Sequence, residues 1–307
     1  MNQPIKNLRI QVVLAAMAGS LALITGCATV AQTAAQIGQA TGAITPGQAD
    51  SLIKTGQAFG KALEQITPEQ EYYVGRAVGA TIVSQYKVYD NDRATKYVNL
   101  VGQTLAMASD KPETFGGYHF LILDSDEINA FAAPGGFIFL SRGMLRLCHT
   151  EDQLAAVLAH EVGHVQFGHA IGAISNSRWT QAFTILGTEG AKSFGGEQLS
   201  QLTSAFEGSI NDITHKMITS GYARGQEREA DSAAVTIMAR VGYNPNALAQ
   251  VLHNMSKELK PDGHDFAATH PKPEDRIADL NKMVGDATTS AAPPARLQRF
   301  TTAMSGI

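Results

Sequence analysis

Residues 151–171 read EDQLAAVLAHEVGHVQFGHAI, and inside them His160-Glu161-Val162-Gly163-His164 forms an H-E-x-x-H. Leu154, Val157, Leu158, Val165 and Ile171 supply apolar positions, while Ala155, Ala156 and Ala159 are good helix formers. Thr150 stands as an N-cap with Gln153 three residues on, a capping-box pattern. Glu151 and Asp152 then bring negative charge to the first turn, where the helix dipole favours it. On a helix the two histidines, four residues apart, lie one turn above each other on one face. Two imidazole nitrogens can then converge on one point, as a tetrahedral zinc ion requires. Glu161 is rotated about 100° from His160, which suits it to hold a water on the metal rather than to ligate it. Gly163 costs roughly 1 kcal/mol against Ala inside a helix, so the missing side chain predicts the close passage of a strand or a substrate.

A zinc hydrolase needs a third protein ligand and an open position. His169 lies five residues past His164, about 140° around a continuous helix. The metzincin pattern would place histidine at 170 and glycine at 167, where this chain has Ala170 and Phe167. His169 is therefore expected beside the site or on the surface. A second element lies downstream in YARGQEREAD (222–231), where Glu227 and Asp231 are one helical turn apart. Such a pair can give one carboxylate to zinc and use the other to orient a ligand histidine, or it can be a solvated acidic face. An H-E-x-x-H upstream favours the first reading.

The chain has 307 residues, 44% apolar and 17% charged, with a net charge of -4. That composition fits one large globular domain or two small ones, and its mild acidity argues against nucleic acid as a partner. Lys6 and Arg9 precede an apolar run from Ile10 to Ile24, too short and too rich in small residues for a membrane span but suited to a secretory signal peptide. The run ends Leu23-Ile24-Thr25-Gly26-Cys27, which resembles a bacterial lipobox with Cys27 as the lipidated residue. Ala28, rather than Asp, in the next position implies sorting to the outer membrane. Cys148 would then be the one thiol of the mature chain, expected as a small buried apolar residue. The predicted layout is a leader over 1–26, a lipidated flexible tether over 27–65, a folded domain over 66–285 and a tail over 286–307.

Thr67, Pro68 and Gln70 start a helix expected to run to about Tyr86, and another covers Asp92 to Ala108. The period then changes to two, predicting strands at 118–123 and 136–140 with residues 128–133 between them. His119 on the first of these reads as a structural or surface residue. Residues 172–221 are helical in pattern but broken by glycines, which fits either a mobile lid or peripheral packing helices. Trp179, Phe183, Phe194 and Phe206 in that stretch read as core residues or as a substrate wall.

Four stretches in order, NAFAAPGGFIFLSRGML (129–145), LAAVLAHEVGHVQFGH (154–169), YARGQEREADSAA (222–234) and THPKPEDR (269–276), resemble the HtpX/BepA/LoiP-type metalloproteases of peptidase family M48, relatives of the CAAX prenyl proteases. The resemblance covers about 67–285. It implies an α+β, mainly helical zincin-type domain with a small mixed β-sheet whose edge strand flanks the H-E-x-x-H helix. It further implies one zinc per subunit on His160, His164 and Glu227, Glu161 as catalytic base, and Asp231 orienting a ligand histidine. Glu229 is the rival carboxylate, but it occupies a variable place in the pattern. His270, presented on a loop by Pro271, corresponds to a histidine that plugs the open zinc position in the BepA branch. Substrate contact and plain loop packing are the other readings of it. Arg276 is expected to pair with an acidic residue near the site.

By the same resemblance the edge strand within 129–140 binds substrate backbone in extended form. With no further apolar span and no tetratricopeptide extension in view, small LoiP-like lipoprotein proteases fit best. The implied activity is zinc-dependent endoproteolysis at the periplasmic face of the outer membrane. Unfolded or misassembled envelope proteins would be the substrates, and the outer-membrane assembly machinery a partner. A chaperone-like assembly factor with a latched zinc site and a cell-wall peptide hydrolase are the rival functions.

Overall fold

Helix α1 (Pro68–Gln85) begins where Thr67 and Gln70 bond reciprocally, side chain to backbone, with Pro68 at its first position. These residues belong to a computed structural model that describes residue 45 and residues 67–173, 207–258, 266, 270, 273–285 and 292–307. All of them except residue 45 fall in one unit, Ile66–Ser175 with Phe206–Ile307. The proposed leader with Cys27, the tether apart from residue 45, and residues 174–206 with Trp179, Phe183, Phe194 and Phe206 lie outside the described residues. Among the described residues no helix is long and apolar enough to cross a membrane.

Helix α2 (Asp92–Met107), capped by the Asn91 side chain, leads to the sheet. Strands β1 (His119–Leu123), β2 (Ala130–Ala133) and β3 (Phe137–Ser141) are ordered β1-β3-β2, with β3 parallel to β1 and antiparallel to β2. The sheet is thus mixed, with β1 and β2 as its two edges, and β2 is the edge beside the H-E-x-x-H helix. Between β2 and β3 the chain turns through Pro134–Gly136, where Gly135 and Gly136 have φ of 72° and 92°. Side chains rarely adopt such angles. Gly75 lets α1 press onto this turn, since a Cβ there would collide with the Pro134 carbonyl.

After the short helix α3 (Arg142–Leu147) comes α4 (Glu151–Gln166), which is buried from Glu151 to Val165. It runs through the core between α2, β2 and three further helices, α5 (Arg224–Arg240), α6 (Ala247–Glu258) and α8 (Pro294–Met304). Helix α7 (Pro273–Val284) packs on α5 and α6. Residues 207–215 are helical and pass into a π-turn, Lys216–Ser220.

The H-E-x-x-H helix stops five residues before Ile171, the end of the stretch read as one helix. Gly168 takes φ of 65°, Gly168 N–H donates to Val165 and His169 N–H to His164, a Schellman stop. The final segment, 286–307, carries α8, which buries Phe300 and Ala303 in the main core. Cys148 is buried, and that burial pushes its thiol up to about 12.

Candidate metal centre

Every polar side chain on a helix buried all round must find a partner or do chemistry. The Nε2 atoms of His160 and His164 on α4 are 3.1 Å apart. Helix α5 crosses α4 at Gly163, where an added Cβ would lie 2.9 Å from the Ala230 carbonyl oxygen and 3.2 Å from the Ala233 Cβ. The glycine therefore serves helix–helix contact, which corrects the expectation that a strand or substrate passes there. That crossing sets Glu227 opposite the two histidines, with Oε2 3.6 Å from His160 Nε2 and Oε1 3.5 Å from His164 Nε2. His270 Nε2 is 3.7 Å from Glu227 Oε1. One donor atom from each of these four buried residues lies within 4.8 Å of the other three.

Neither oxygen of Glu227 makes a hydrogen bond. Burial pushes this carboxyl well above its usual range, with Arg276 opposing and Asp231 and Glu161 adding to the rise. A buried carboxylate without hydrogen bonds is costly unless a cation compensates it. Zinc at about 2.0–2.1 Å from tetrahedral ligands would separate their donor atoms by roughly 3.4 Å, and the distances above bracket that value. The residues present fit a divalent metal ion.

The remaining groups hold these side chains in place. His160 Nδ1 is 3.0 Å from Asp231 Oδ1, and Arg276 forks Asp231 with bonds of 3.0 and 2.6 Å. Burial pushes Asp231 up, but Arg276 and His160 more than reverse this, leaving the carboxylate well below its ordinary range. An ionised Asp231 accepts the Nδ1–H of His160 and turns the Nε2 lone pair to the centre. Arg276 Nη1 also stands 3.3 Å from Glu227 Oε2, so its acidic partners, which the sequence did not locate, are Asp231 and Glu227.

His164 is oriented by a different chain. Its Nδ1 is 2.9 Å from His169 Nδ1, and His169 Nε2 is 3.0 Å from Glu229 Oε2. If His169 donates to Glu229, its Nδ1 accepts from His164, which frees the His164 Nε2 lone pair for the centre. Glu229, the rival ligand, is absent from the donor set and holds His169 instead. The signal for this arrangement was Gly168, whose Schellman turn folds His169 back against His164; helix arithmetic alone carried His169 away.

Burial, with Arg276 adding, lowers His160 to about 4, and burial likewise holds His164 well below its ordinary value. Both rings are thus neutral, as metal ligands must be. Burial pushes Glu161 up to about 8 against the lowering effect of Arg276, and its Oε1 has no hydrogen-bond partner. His270 stacks on Phe266 with ring centroids 3.7 Å apart, and its N–H donates to the Phe266 carbonyl.

A family model described as Peptidase family M48 matches residues 92–284, more than half of the chain. The chain belongs to peptidase family M48. The M48 match takes in α2 through α7, and with them each residue of the donor set. The chain is 28% identical over 235 residues to the Beta-barrel assembly-enhancing protease of Escherichia coli K12, covering 75% of this chain and 46% of that protein. It is 32% identical over 161 residues to the Mitochondrial metalloendopeptidase OMA1 of Schizosaccharomyces pombe, covering 52% and 44%. Against the Metalloprotease LoiP of Escherichia coli K12 identity is 24% over 169 residues, covering 55% and 64%. The chain therefore spans about half the length of the first of these relatives.

Proposed function

We propose that this M48 chain is a zinc-dependent metalloendopeptidase of the bacterial cell envelope that cleaves misfolded or unassembled envelope and outer-membrane proteins. The observation that carries the reading is the pair of facing Nε2 atoms, 3.1 Å apart, beside a buried Glu227 whose oxygens make no hydrogen bond. His160, His164 and Glu227 would hold one zinc. Bound zinc lowers the pKa of a coordinated water to about 7 and polarises a carbonyl. Glu161 takes the proton from the attacking water and hands it to the leaving amine. Its raised proton affinity suits both halves of that transfer. Asp231 and Arg276 keep His160 in the required tautomer, and His169 with Glu229 does the same for His164. Edge strand β2, which packs beside α4, would receive the substrate backbone in extended form.

In this reading His270, whose Nε2 lies 3.7 Å from Glu227 Oε1, would plug the site until substrate displaces it. The same contact favours the second reading, an assembly factor whose zinc site is latched. The leader over 1–26, lipidation at Cys27, the tether over 27–65 and location at the periplasmic face of the outer membrane complete the proposal. The sequence around Cys27 supports the leader and the lipid, and the name of the Beta-barrel assembly-enhancing protease supports the location.

Glu161→Gln tests the reaction. Zinc content by atomic absorption should stay at one per chain, while casein cleavage should drop by about 100-fold or more. Near-wild-type cleavage by the variant overturns the assignment. Retention of the cellular role by the same variant would select the assembly factor.

A further inference from the structure

Tyr222 is a buried titratable group that the reaction above leaves unused. It follows Gly221, whose φ of 68° reverses the chain between the π-turn and α5. Its ring lies over His164, with centroids 4.3 Å apart and planes 24° from parallel, and its centroid is 6.2 Å from that of His270. The residue is 9% exposed, and its hydroxyl is buried without a hydrogen-bond partner. A tyrosine buried to this degree normally finds a partner for its O–H. Phenylalanine would give the same stacking on His164 without an orphaned hydroxyl, so packing alone does not account for the phenol. The hydroxyl is thus a donor without an acceptor, on a ring that lies against His164 of the donor set.

We propose that the Tyr222 hydroxyl donates a hydrogen bond to the oxyanion that develops on the scissile carbonyl, so that Tyr222 is a catalytic residue of this site. As the water oxygen bonds to the carbonyl carbon, the π electron pair moves onto the carbonyl oxygen. Glu161 holds the proton lost by the water. Tyr222 stabilises the new negative charge without giving up its own proton. When the C–N bond breaks, the electron pair returns to re-form the carbonyl, and the Glu161 proton goes to the departing amine. A donor aimed at charge that exists only in the transition state leaves ground-state binding nearly unchanged.

The inference rests on the proteolytic reading, and the experiment separates the two. Full-length zinc-loaded protein is assayed on a fluorogenic peptide as wild type, Tyr222→Phe, Tyr222→Leu and Glu161→Gln, with zinc content and melting temperature recorded for each. Tyr222→Phe should keep its zinc, its melting temperature and its KM, and lose about 100-fold in kcat. A Tyr222→Phe kcat within about 3-fold of wild type overturns the proposal. If only Tyr222→Leu loses zinc and rate, the ring merely steadies His164, and the proposal is again overturned. Full cleavage by Glu161→Gln would instead bring down the proteolytic reading and this inference with it.

Discussion

Helix α4 carries a buried carboxylate at its start and faces another near its end, and the two are treated in opposite ways. At the N-terminal end, Glu151 accepts hydrogen bonds from Tyr97 at 2.6 Å, from Tyr243 at 2.7 Å and from Arg299 on α8, while Arg296 pairs with Asp152 at 3.0 Å. At the other end, Glu227 receives no hydrogen bond although it is equally buried. Satisfying every lone pair is what a buried charge needs if its role is stability. Leaving a carboxylate and two neutral imidazoles aimed at one another costs stability until a cation arrives, a conflict tolerated at functional sites. One end of the helix is an anchor and the other a socket.

The sharpest way to break this contrast is to empty the socket. Glu227→Ala should abolish stoichiometric zinc and lower cleavage by about 1,000-fold or more, since a ligand and a buried charge go together. Apparent stability without zinc should hold or rise, because a buried carboxyl that receives no hydrogen bond has gone; metal analysis and thermal melts in chelator check both. A melt that drops sharply in chelator would show Glu227 to be a stability element like Glu151.

At the anchor, the expectation inverts. Glu151→Ala should cost about 2–4 kcal/mol by stranding two buried tyrosine hydroxyls, read from urea unfolding, with zinc stoichiometry unchanged. Burial raises the Glu151 carboxyl, but the bonds from Arg299, Tyr97 and Tyr243 outweigh it and leave the group below its ordinary value. A lowered folded value means that its stabilisation is present above about pH 4.3, the unfolded glutamate value. It is lost as pH falls through the folded value. Unfolding midpoints of wild type should therefore converge on those of Glu151→Gln in acid; a constant gap down to low pH would contradict this.

The smallest effect belongs to the orienting relay. His169→Ala should weaken zinc binding by about 10-fold, at the low end for groups that steer a ligand histidine, measured by competition with a chromophoric chelator. An unchanged affinity would mean that His164 is held by Tyr222 stacking alone.

Much of this was written locally. The capping residues Thr67 and Thr150, the alternation in 118–141, and the four-residue spacing of His160 and His164 each act over a turn or two of chain. Short-range periodicity and capping therefore located helices and strands, and the resemblance carried Glu227 and Asp231 onto the same site. Apart from His169, whose direction follows from the adjacent Gly168, what the sequence did not locate depended on elements far apart in the chain. Gly163 looked like a place for a strand or substrate because its neighbour, Ala230, lies on another helix. His169 looked turned away because its direction depends on Gly168 ending α4 early. Arg276 had several acidic candidates until the packing of α7 on α5 set it against Asp231 and Glu227. The partners of Arg296 and Arg299 on α8, Asp152 and Glu151, lie at the start of α4, far away in the chain. By itself, then, the sequence determined the helix that offers two histidines and a glutamate. The tertiary structure decided which carboxylate faces them, what orients each ring, and that a tyrosine hydroxyl waits beside them unpaired, because those relations depend on close packing between segments that no local periodicity connects.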